Sequence, residues 1–256
     1  MVTKEDIHNF LKSVGVKSTD TLLIHTSMRA IGQVENGCDG LIDGFISYLH
    51  NGLFLVPTHT WDILDTENPT FDVRSSLSCI GALPDTAIKR ADGVRSLHPT
   101  HSLKAFGKRA EEYVQGEENA TTPCPVGGAW ARLRNEDAVI LLIGVGLNRL
   151  TYIHAVDEML DLPDRLVSPK KVTLIDYDGN EKQVLLRGHG AISSTYFGNY
   201  QKPFERLGAL SFGKLGNATV GILRARKVTE IMQKLWSVAE YPLCDTMREI
   251  PEKYYV

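Results

Sequence analysis

Apolar and polar positions alternate in blocks along the first sixty residues of the chain. Residues 4–14 repeat apolar side chains at helical spacing, with Thr3 as a candidate N-cap. Residues 21–25 and 53–56 are short apolar runs typical of buried strands, and residues 38–49 predict the helix between them. The order helix, strand, helix, strand indicates a sheet that is at least partly parallel and has helices on its faces.

The rest of the chain continues this mixture. The clearest strand, residues 138–144, precedes a predicted helix at 151–160, and a hairpin is predicted over residues 172–186. Further helices are predicted at 80–90, 109–114, 130–134 and 228–236, and further strands at 102–106, 210–213 and 218–223. Residues 58–77 are polar and aperiodic, and we predict a long loop there, a kind of segment that is usually functional or disordered.

These patterns predict an α/β protein with a mixed, partly parallel sheet and helices on both faces. The length of 256 residues favours one elaborated domain over residues 1–256, with two small domains as the alternative.

Composition and charge exclude several classes of function. A formal net charge of -3 gives no cationic surface for nucleic acid or an anionic membrane. The N-terminus lacks a secretory pattern, and the longest apolar runs are too short to cross a bilayer. The four cysteines are scattered without C-x-x-C spacing, so we predict a reducing cytoplasmic location. Cys124, between two prolines, is either a buried thiol or a reactive one.

The most informative local feature is a buried strand that ends in Gly144 and Gly146 and is followed by a helix. His154 lies in the first turn of that helix, and Asp157 and Glu158 follow at spacings that could place them on the same face. A carboxylate bonded to one ring nitrogen would leave the other nitrogen as a base. The alternative is an ordinary histidine at a helix start with surface acids. The two glycines do not complete a dinucleotide-binding fingerprint, so we interpret them as tight turns.

Two further histidine-containing segments could contribute to a site. Residues 95–102 combine an arginine, several hydroxyls and two histidines, a mixture that can hold a phosphate or a polar substrate. His189 lies in a glycine-flanked turn and is either a surface residue or part of a site. No acidic or cysteine ligand stands at a recognisable spacing from the histidines, so no metal is expected. The sequence also lacks G-x-S-x-G and Walker motifs, which disfavours serine hydrolases and nucleotidases.

Seven short motifs, in order along the chain, resemble the aminoglycoside 3-N-acetyltransferase family, a group of antibiotic acetyltransferases distinct from the common GNAT fold. They are residues 23–32 (LIHTSMRAIG), 55–60 (LVPTHT), 71–72 (FD), 95–102 (RSxHPxxS), 105–107 (AFG), 141–145 (LLIGV) and 151–157 (TxxHxxD). The last hundred residues match less clearly. The resemblance implies an α/β/α sandwich-like fold and acetyl-CoA as the acyl donor.

The resemblance also implies roles for individual residues. In the family, the histidine that matches His154 is the general base that takes a proton from the attacking amine. Asp157 would orient or assist this base, Glu158 would share that role, and His189 would complete the catalytic group. The donor's pantetheine and phosphates would bind Thr26, Ser27, Met28 and Arg29 together with Arg95, Ser96, His98 and Ser102. Contacts to the acceptor are expected from His59, Trp61, Asp62 and Asp72.

One departure from the family concerns the acceptor. Resistance enzymes of the family carry an aspartate near the position of His189, where this chain has Gly188 and no carboxylate close in sequence. Because such acids attract polycationic aminoglycosides, three hypotheses stay open. They are acetylation of an aminoglycoside or amino sugar, acyl transfer to a biosynthetic sugar nucleotide or metabolite amine, and CoA binding without catalysis. The expected partners are CoA and a small-molecule amine, without nucleic acid or membrane, and a homodimer is left open.

Overall fold

The computed structural model describes residues 1–190 and 194–256, and within them the strands form two β-sheets. The strands are β1 (Thr21–Thr26), β2 (Leu53–Pro57), β3 (Thr70–Asp72), β4 (Val94–Arg95), β5 (Leu103–Phe106), β6 (Val139–Ile143), β7 (Lys170–Ile175), β8 (Glu181–Leu186), β9 (Leu210–Leu215) and β10 (Ala218–Arg224). The α-helices are α1 (Lys4–Ser13), α2 (Met28–Ile31), α3 (Gly37–Tyr48), α4 (Ala82–Lys89), α5 (Ala110–Val114), α6 (Ala129–Asn135), α7 (Tyr152–Met159), α8 (Gln201–Arg206) and α9 (Ala225–Val238). Short 3-10 helices lie at Trp61–Asp65, Glu117–Asn119, Leu147–Arg149, Phe197–Tyr200 and Glu252–Tyr254.

The larger sheet has seven strands in the order β4-β5-β2-β1-β6-β10-β9. β1 pairs in parallel with both β2 and β6, whereas β5 and β10 run antiparallel to the strands beside them. The three central strands therefore end at one edge of the sheet, where open α/β sheets usually bind ligands. In the smaller sheet, β3 pairs in parallel with β7, and β7 and β8 form the predicted hairpin.

Side chains of the central strands alternate between two apolar cores, one on each face of the larger sheet. Leu23, Leu55 and Leu142 belong to the core that includes apolar residues of α6, α7 and α9. Ile24 and Val56 belong to the other core, which includes apolar residues of α1 and α3. The mixed, partly parallel sheet with helices on both faces confirms the predicted α/β class.

Local sequence signals account for most element boundaries. The predicted cap of α1 is present, because Thr3 Oγ1 accepts a hydrogen bond from the Asp6 amide and the Asp6 carboxylate accepts one from the Thr3 amide. The prediction of one long loop over residues 58–77 was wrong, because this segment contains the 3-10 helix Trp61–Asp65 and strand β3. β3 is held by β7, far along the chain, and no local period reveals such a pairing.

None of the helices in the described part of the chain combines the length and the apolar character needed to cross a membrane.

Candidate active site

A cavity of about 800 Å³, called here the main cavity, opens at the carboxyl ends of the three parallel strands. His25 and Thr26 at the end of β1 line it, as does His59, which follows β2. Arg149 and His154, from the turn after β6 and from α7, line it as well. The topology thus brings together polar residues that are far apart in the sequence.

Six of the eight histidines in the chain form a largely buried group at this cavity, called here the histidine cluster. Its members are His25, His59, His98, His101, His154 and His189. The ring centroids of His59 and His101 are 4.7 Å apart, and those of His101 and His189 are 5.2 Å apart. The indole of Trp130 packs against both His25 and His59, at 6.2 and 5.4 Å. The rings therefore form a continuous aromatic and polar wall.

Burial keeps several of these imidazoles neutral. It lowers the pKa of His25 to about 3, with Arg149 contributing in the same direction. It also lowers the pKa values of His59, His101 and His154 well below the usual histidine range, with neighbouring histidines adding to the effect. A neutral imidazole has one nitrogen that donates and one that accepts, so these side chains can bind hydroxyls or take up a proton.

His154 has the placement of a base. Its ring stacks on that of His189 with a centroid distance of 3.7 Å and an interplanar angle of 19°, and Phe197 packs on it at 4.8 Å. Its buried Nδ1 has no hydrogen-bond partner among the described residues. The ring is thus held by packing, while its Nδ1 is left without a partner by the described residues.

Glu158 reaches His189 and not His154. Its Oε1 lies 3.4 Å from Nε2 of His189 and accepts a hydrogen bond of 2.8 Å from the Cys124 amide. The turn after β8 places the His189 ring against His154, so Glu158 contacts the stacked partner of the predicted base. The carboxylate that the sequence lacks close to His189 is therefore supplied by α7.

Asp157 is turned away from the cavity. Its Oδ2 lies 3.6 Å from Nε of Arg165, whose Nη1 donates a 2.6 Å hydrogen bond to Asp245. Burial raises the pKa of Asp157 to about 7 in spite of the attraction of Arg165. The expected contact between a carboxylate and the His154 ring is not present among the described residues, because Asp157 and Glu158 each bind a different partner.

Four buried polar atoms of the cavity lining have no hydrogen-bond partner among the described residues. They are His25 Nε2, Thr26 Oγ1, His59 Nδ1 and His154 Nδ1. Burying an unpaired polar atom costs about 1–3 kcal/mol, so a set of such atoms on one cavity wall indicates a polar ligand.

A family model described as Aminoglycoside 3-N-acetyltransferase matches residues 23–237. The chain belongs to this family. Aminoglycoside N(3)-acetyltransferase IX from Micromonospora chalcea is 28% identical over 179 residues, which cover 63% of this chain and 63% of that relative. Aminoglycoside N(3)-acetyltransferase IV from Salmonella sp is 28% identical over 186 residues, 70% of this chain and 69% of the relative. The match to the first relative spans less than two thirds of its length.

Solved structures share the fold. Aminoglycoside acetyltransferase AAC(3)-IVa in complex with a gentamicin has a TM-score of 0.80 at 23% identity, over 93% of this chain and 89% of that one. The binary complex of AAC-IIIb with CoASH has a TM-score of 0.78 at 20% identity, over 90% of this chain and 94% of that one. The resemblance of the seven sequence motifs to this family is thereby confirmed.

The residues expected to bind the donor fall into two groups. Thr26, Ser27, Met28 and Arg29 all line the main cavity. Arg95, Ser96, His98 and Ser102 do not line it and are almost fully buried. The Arg95 guanidinium donates to the carbonyls of residues 58, 73 and 76 and to Ser102 Oγ, and it packs over the Phe71 ring at 4.7 Å. The polar atoms of the second group therefore lie inside the protein, where Arg95 is hydrogen-bonded to other protein groups.

The residues expected to bind the acceptor are also divided. His59 and Trp61 line the main cavity. Asp62 is exposed and lies beside the thiol of Cys79, whose pKa burial raises to about 11. Asp72 lies outside the cavity lining and binds Arg74 through both carboxylate oxygens, at 3.0 and 2.8 Å.

Among the cavity residues that were not identified from the sequence are His25 and Arg149. His25 ends a central strand, and the carboxyl end of a predicted parallel strand is the signal that could have found it. Arg149 lies in the 3-10 turn between β6 and α7, within the strand–glycine–helix feature that drew attention to His154. Neither residue stands out by residue type alone.

Cys124, Glu158 and His189 are a set of side chains that could hold a metal ion. Their ligand atoms lie within 4.8 Å of one another, and Cys124 is buried. A thiolate, a carboxylate and an imidazole form a donor set that suits zinc. Sequence spacing did not reveal this group, because its members come from three separate segments.

Proposed function

We propose that this chain transfers an acetyl group from acetyl-CoA to an amine of an aminoglycoside or amino sugar, with His154 as the general base. One observation carries the proposal. His154 lies on the wall of a large cavity at the carboxyl ends of the parallel strands, with a buried Nδ1 that has no partner among the described residues. Because the chain belongs to an acetyltransferase family, acetyl transfer is the reaction we assign to this site.

In the proposed reaction, the acceptor amine attacks the acetyl-CoA thioester directly, without a covalent enzyme intermediate. The amine nitrogen forms a bond to the thioester carbonyl carbon while a ring nitrogen of His154 takes the amine proton. The carbon–sulfur bond then breaks, and the proton passes from His154 to the departing thiolate, so that the products are an N-acetylated amine and free CoA. Burial keeps His154 unprotonated at neutral pH, which is the state that a base requires.

His189 and Glu158 act through His154 in this scheme. When His154 takes up the proton, its ring becomes cationic beside the stacked ring of His189. Glu158, whose Oε1 lies 3.4 Å from Nε2 of His189, contributes a negative charge that stabilises the imidazolium. Asp157 supports the same helix through Arg165 and does not touch the base.

The donor and acceptor occupy different parts of the wall in this proposal. Thr26, Ser27 and Met28 lie along the pantetheine, and the exposed guanidinium of Arg29 pairs with a CoA phosphate. His59 and Trp61 face the acceptor, with Asp62 at the edge. The cavity wall is supported by buried residues that do not line it, namely Arg95, Ser96, His98 and Ser102.

The test is the variant His154→Ala, assayed by release of free thiol and by the mass of the acetylated product. We expect turnover to fall by about a hundred- to ten-thousandfold, because that is the usual cost of losing a general base. CoA binding measured by calorimetry should stay within a few fold. His50→Ala, which changes an exposed histidine outside the histidine cluster, is the matched control. An unchanged rate in His154→Ala would disprove the assignment of the base.

A further inference from the structure

The charged side chains that line the main cavity are cationic in the part of the chain that the structure describes. Among the described residues that line it, the charged side chains are Arg29 and Arg149, and no aspartate or glutamate is present. Both arginines are exposed. Residues 191–193, just before the lining residue Ser194, are alanine, isoleucine and serine, so their side chains add no carboxylate.

Carboxylates on the elements around the site have other partners, as does Asp85, which accepts a hydrogen bond from the Ser78 amide. Asp157 faces Arg165, and Glu158 faces His189 and the Cys124 amide. Asp62 lies at the edge, beside the Cys79 thiol, and is exposed. Within the described part of the chain, no carboxylate therefore lines the cavity where a positively charged acceptor would bind.

The remaining polar atoms suit hydroxyl groups. His25 Nε2, Thr26 Oγ1 and His59 Nδ1 are buried and lack partners among the described residues. Neutral imidazole and hydroxyl groups donate and accept hydrogen bonds and do not compensate an ammonium charge. A ligand with several hydroxyls would satisfy these atoms.

We infer that the acceptor is a hydroxyl-rich amine with a single ammonium group, and that Arg149 disfavours polycationic aminoglycosides. This inference rests on the proposed acetyl transfer and narrows its acceptor. Only the reacting amine loses its proton during attack, so each further ammonium group must enter a cavity that has two guanidinium groups and no lining carboxylate among the described residues. Placing like charges together in a partly desolvated site is unfavourable whether or not a CoA phosphate neutralises Arg29.

The experiment compares kcat/KM at saturating acetyl-CoA for glucosamine, galactosamine and glucosamine 6-phosphate with that for kanamycin, which carries several amines. We expect the best single amine to exceed kanamycin by at least about tenfold, the factor that follows from one uncompensated charge near a protein surface. Kanamycin acetylated as fast as every single amine, or faster, would overturn the inference and leave the proposed acetyl transfer standing. Absence of thiol release with any amine would instead contradict the proposed function.

Arg149→Glu tests the residue itself. This exposed substitution should raise the ratio of kcat/KM for kanamycin to that for the best single amine by about tenfold, because it reverses one charge. Any effect of the substitution on acetyl-CoA binding is the same for both acceptors and therefore cancels in this ratio. Arg206→Glu, on an exposed position outside the cavity lining, should leave the ratio unchanged. An unchanged ratio in Arg149→Glu would disprove the role of Arg149.

Calorimetry adds a readout that does not depend on turnover. With CoA present, kanamycin should bind the wild-type chain more weakly than the single amine and should gain affinity in Arg149→Glu. Equal or tighter binding of kanamycin to the wild type would overturn the inference even if no amine were acetylated.

Discussion

Two segments with similar residue types differ in their exposure: one lines the main cavity and the other is buried. Residues 26–29, called here the open loop, and residues 95–102, called here the buried segment, each combine an arginine with hydroxyl side chains. The open loop lines the main cavity and leaves Arg29 exposed and Thr26 Oγ1 without a partner among the described residues. In the buried segment, the Arg95 guanidinium donates hydrogen bonds to backbone carbonyls. Residue type alone therefore does not separate a segment that lines the cavity from one that is buried behind it.

The position of each segment in the sheet explains the difference. The open loop starts at the last residue of β1 and runs into α2. Because β2 and β6 both run parallel to β1, it lies at the edge where open α/β sheets usually bind ligands. The buried segment connects β4 to β5, at the side of the sheet where the smaller sheet packs. There Arg95 ties the carbonyls of residues 73 and 76 to the end of β2.

The largest expected effect is on the stability of the buried segment. Arg95→Ala should lower the free energy of unfolding by about 3 kcal/mol, because it leaves several buried carbonyls without donors and opens a space over Phe71. Urea unfolding followed by circular dichroism measures this change. Arg29→Ala, the matched change in the open loop, should alter stability by less than about 0.5 kcal/mol. Full stability in Arg95→Ala together with a raised KM for acetyl-CoA would return the buried segment to a donor-binding role.

A similar division operates inside α7, where Asp157 faces the interior and His154 faces the cavity. Burial raises the pKa of Asp157 to about 7, above the ordinary value of 3.8. The folded state therefore binds this proton more tightly than the unfolded state does, and stability falls as pH rises from about 4 to about 7. Asp157→Asn should remove most of that fall in unfolding curves measured across this range. Asp178→Asn, an exposed change in the turn between β7 and β8, is the control and should keep the pH dependence.

Glu158 should affect catalysis and not donor binding. Glu158→Gln keeps the shape of the side chain and removes the charge near the stacked histidines, so we expect kcat to fall by about tenfold with little change in either KM. Initial rates with acetyl-CoA and the best acceptor give these constants. Glu230→Gln, an exposed change on α9, is the control. A rate equal to wild type in Glu158→Gln would mean that His154 does not use this carboxylate.

The sequence predicted the fold more fully than it predicted the surroundings of His154. Strand and helix periods identified β1, β2, β6 and α7, since each has a strong local signal. The spacing of Asp157 and Glu158 from His154 predicted a direct contact, but in the structure Glu158 contacts His189, whose ring stacks on that of His154. That arrangement depends on where a turn after β8 packs, and no spacing within α7 contains that information.

The smallest expected effect concerns the open loop and decides whether it holds the donor. Arg29 is exposed at the cavity and should pair with a phosphate of CoA, so Arg29→Ala should raise the KM for acetyl-CoA by about fivefold with kcat nearly constant. The effect should shrink as salt is added, because an exposed ion pair is screened. Arg29→Lys should recover part of the loss by keeping the charge without the paired geometry of a guanidinium. A KM that is unchanged in Arg29→Ala at low salt would remove the open loop from donor binding and would leave the two segments alike in function.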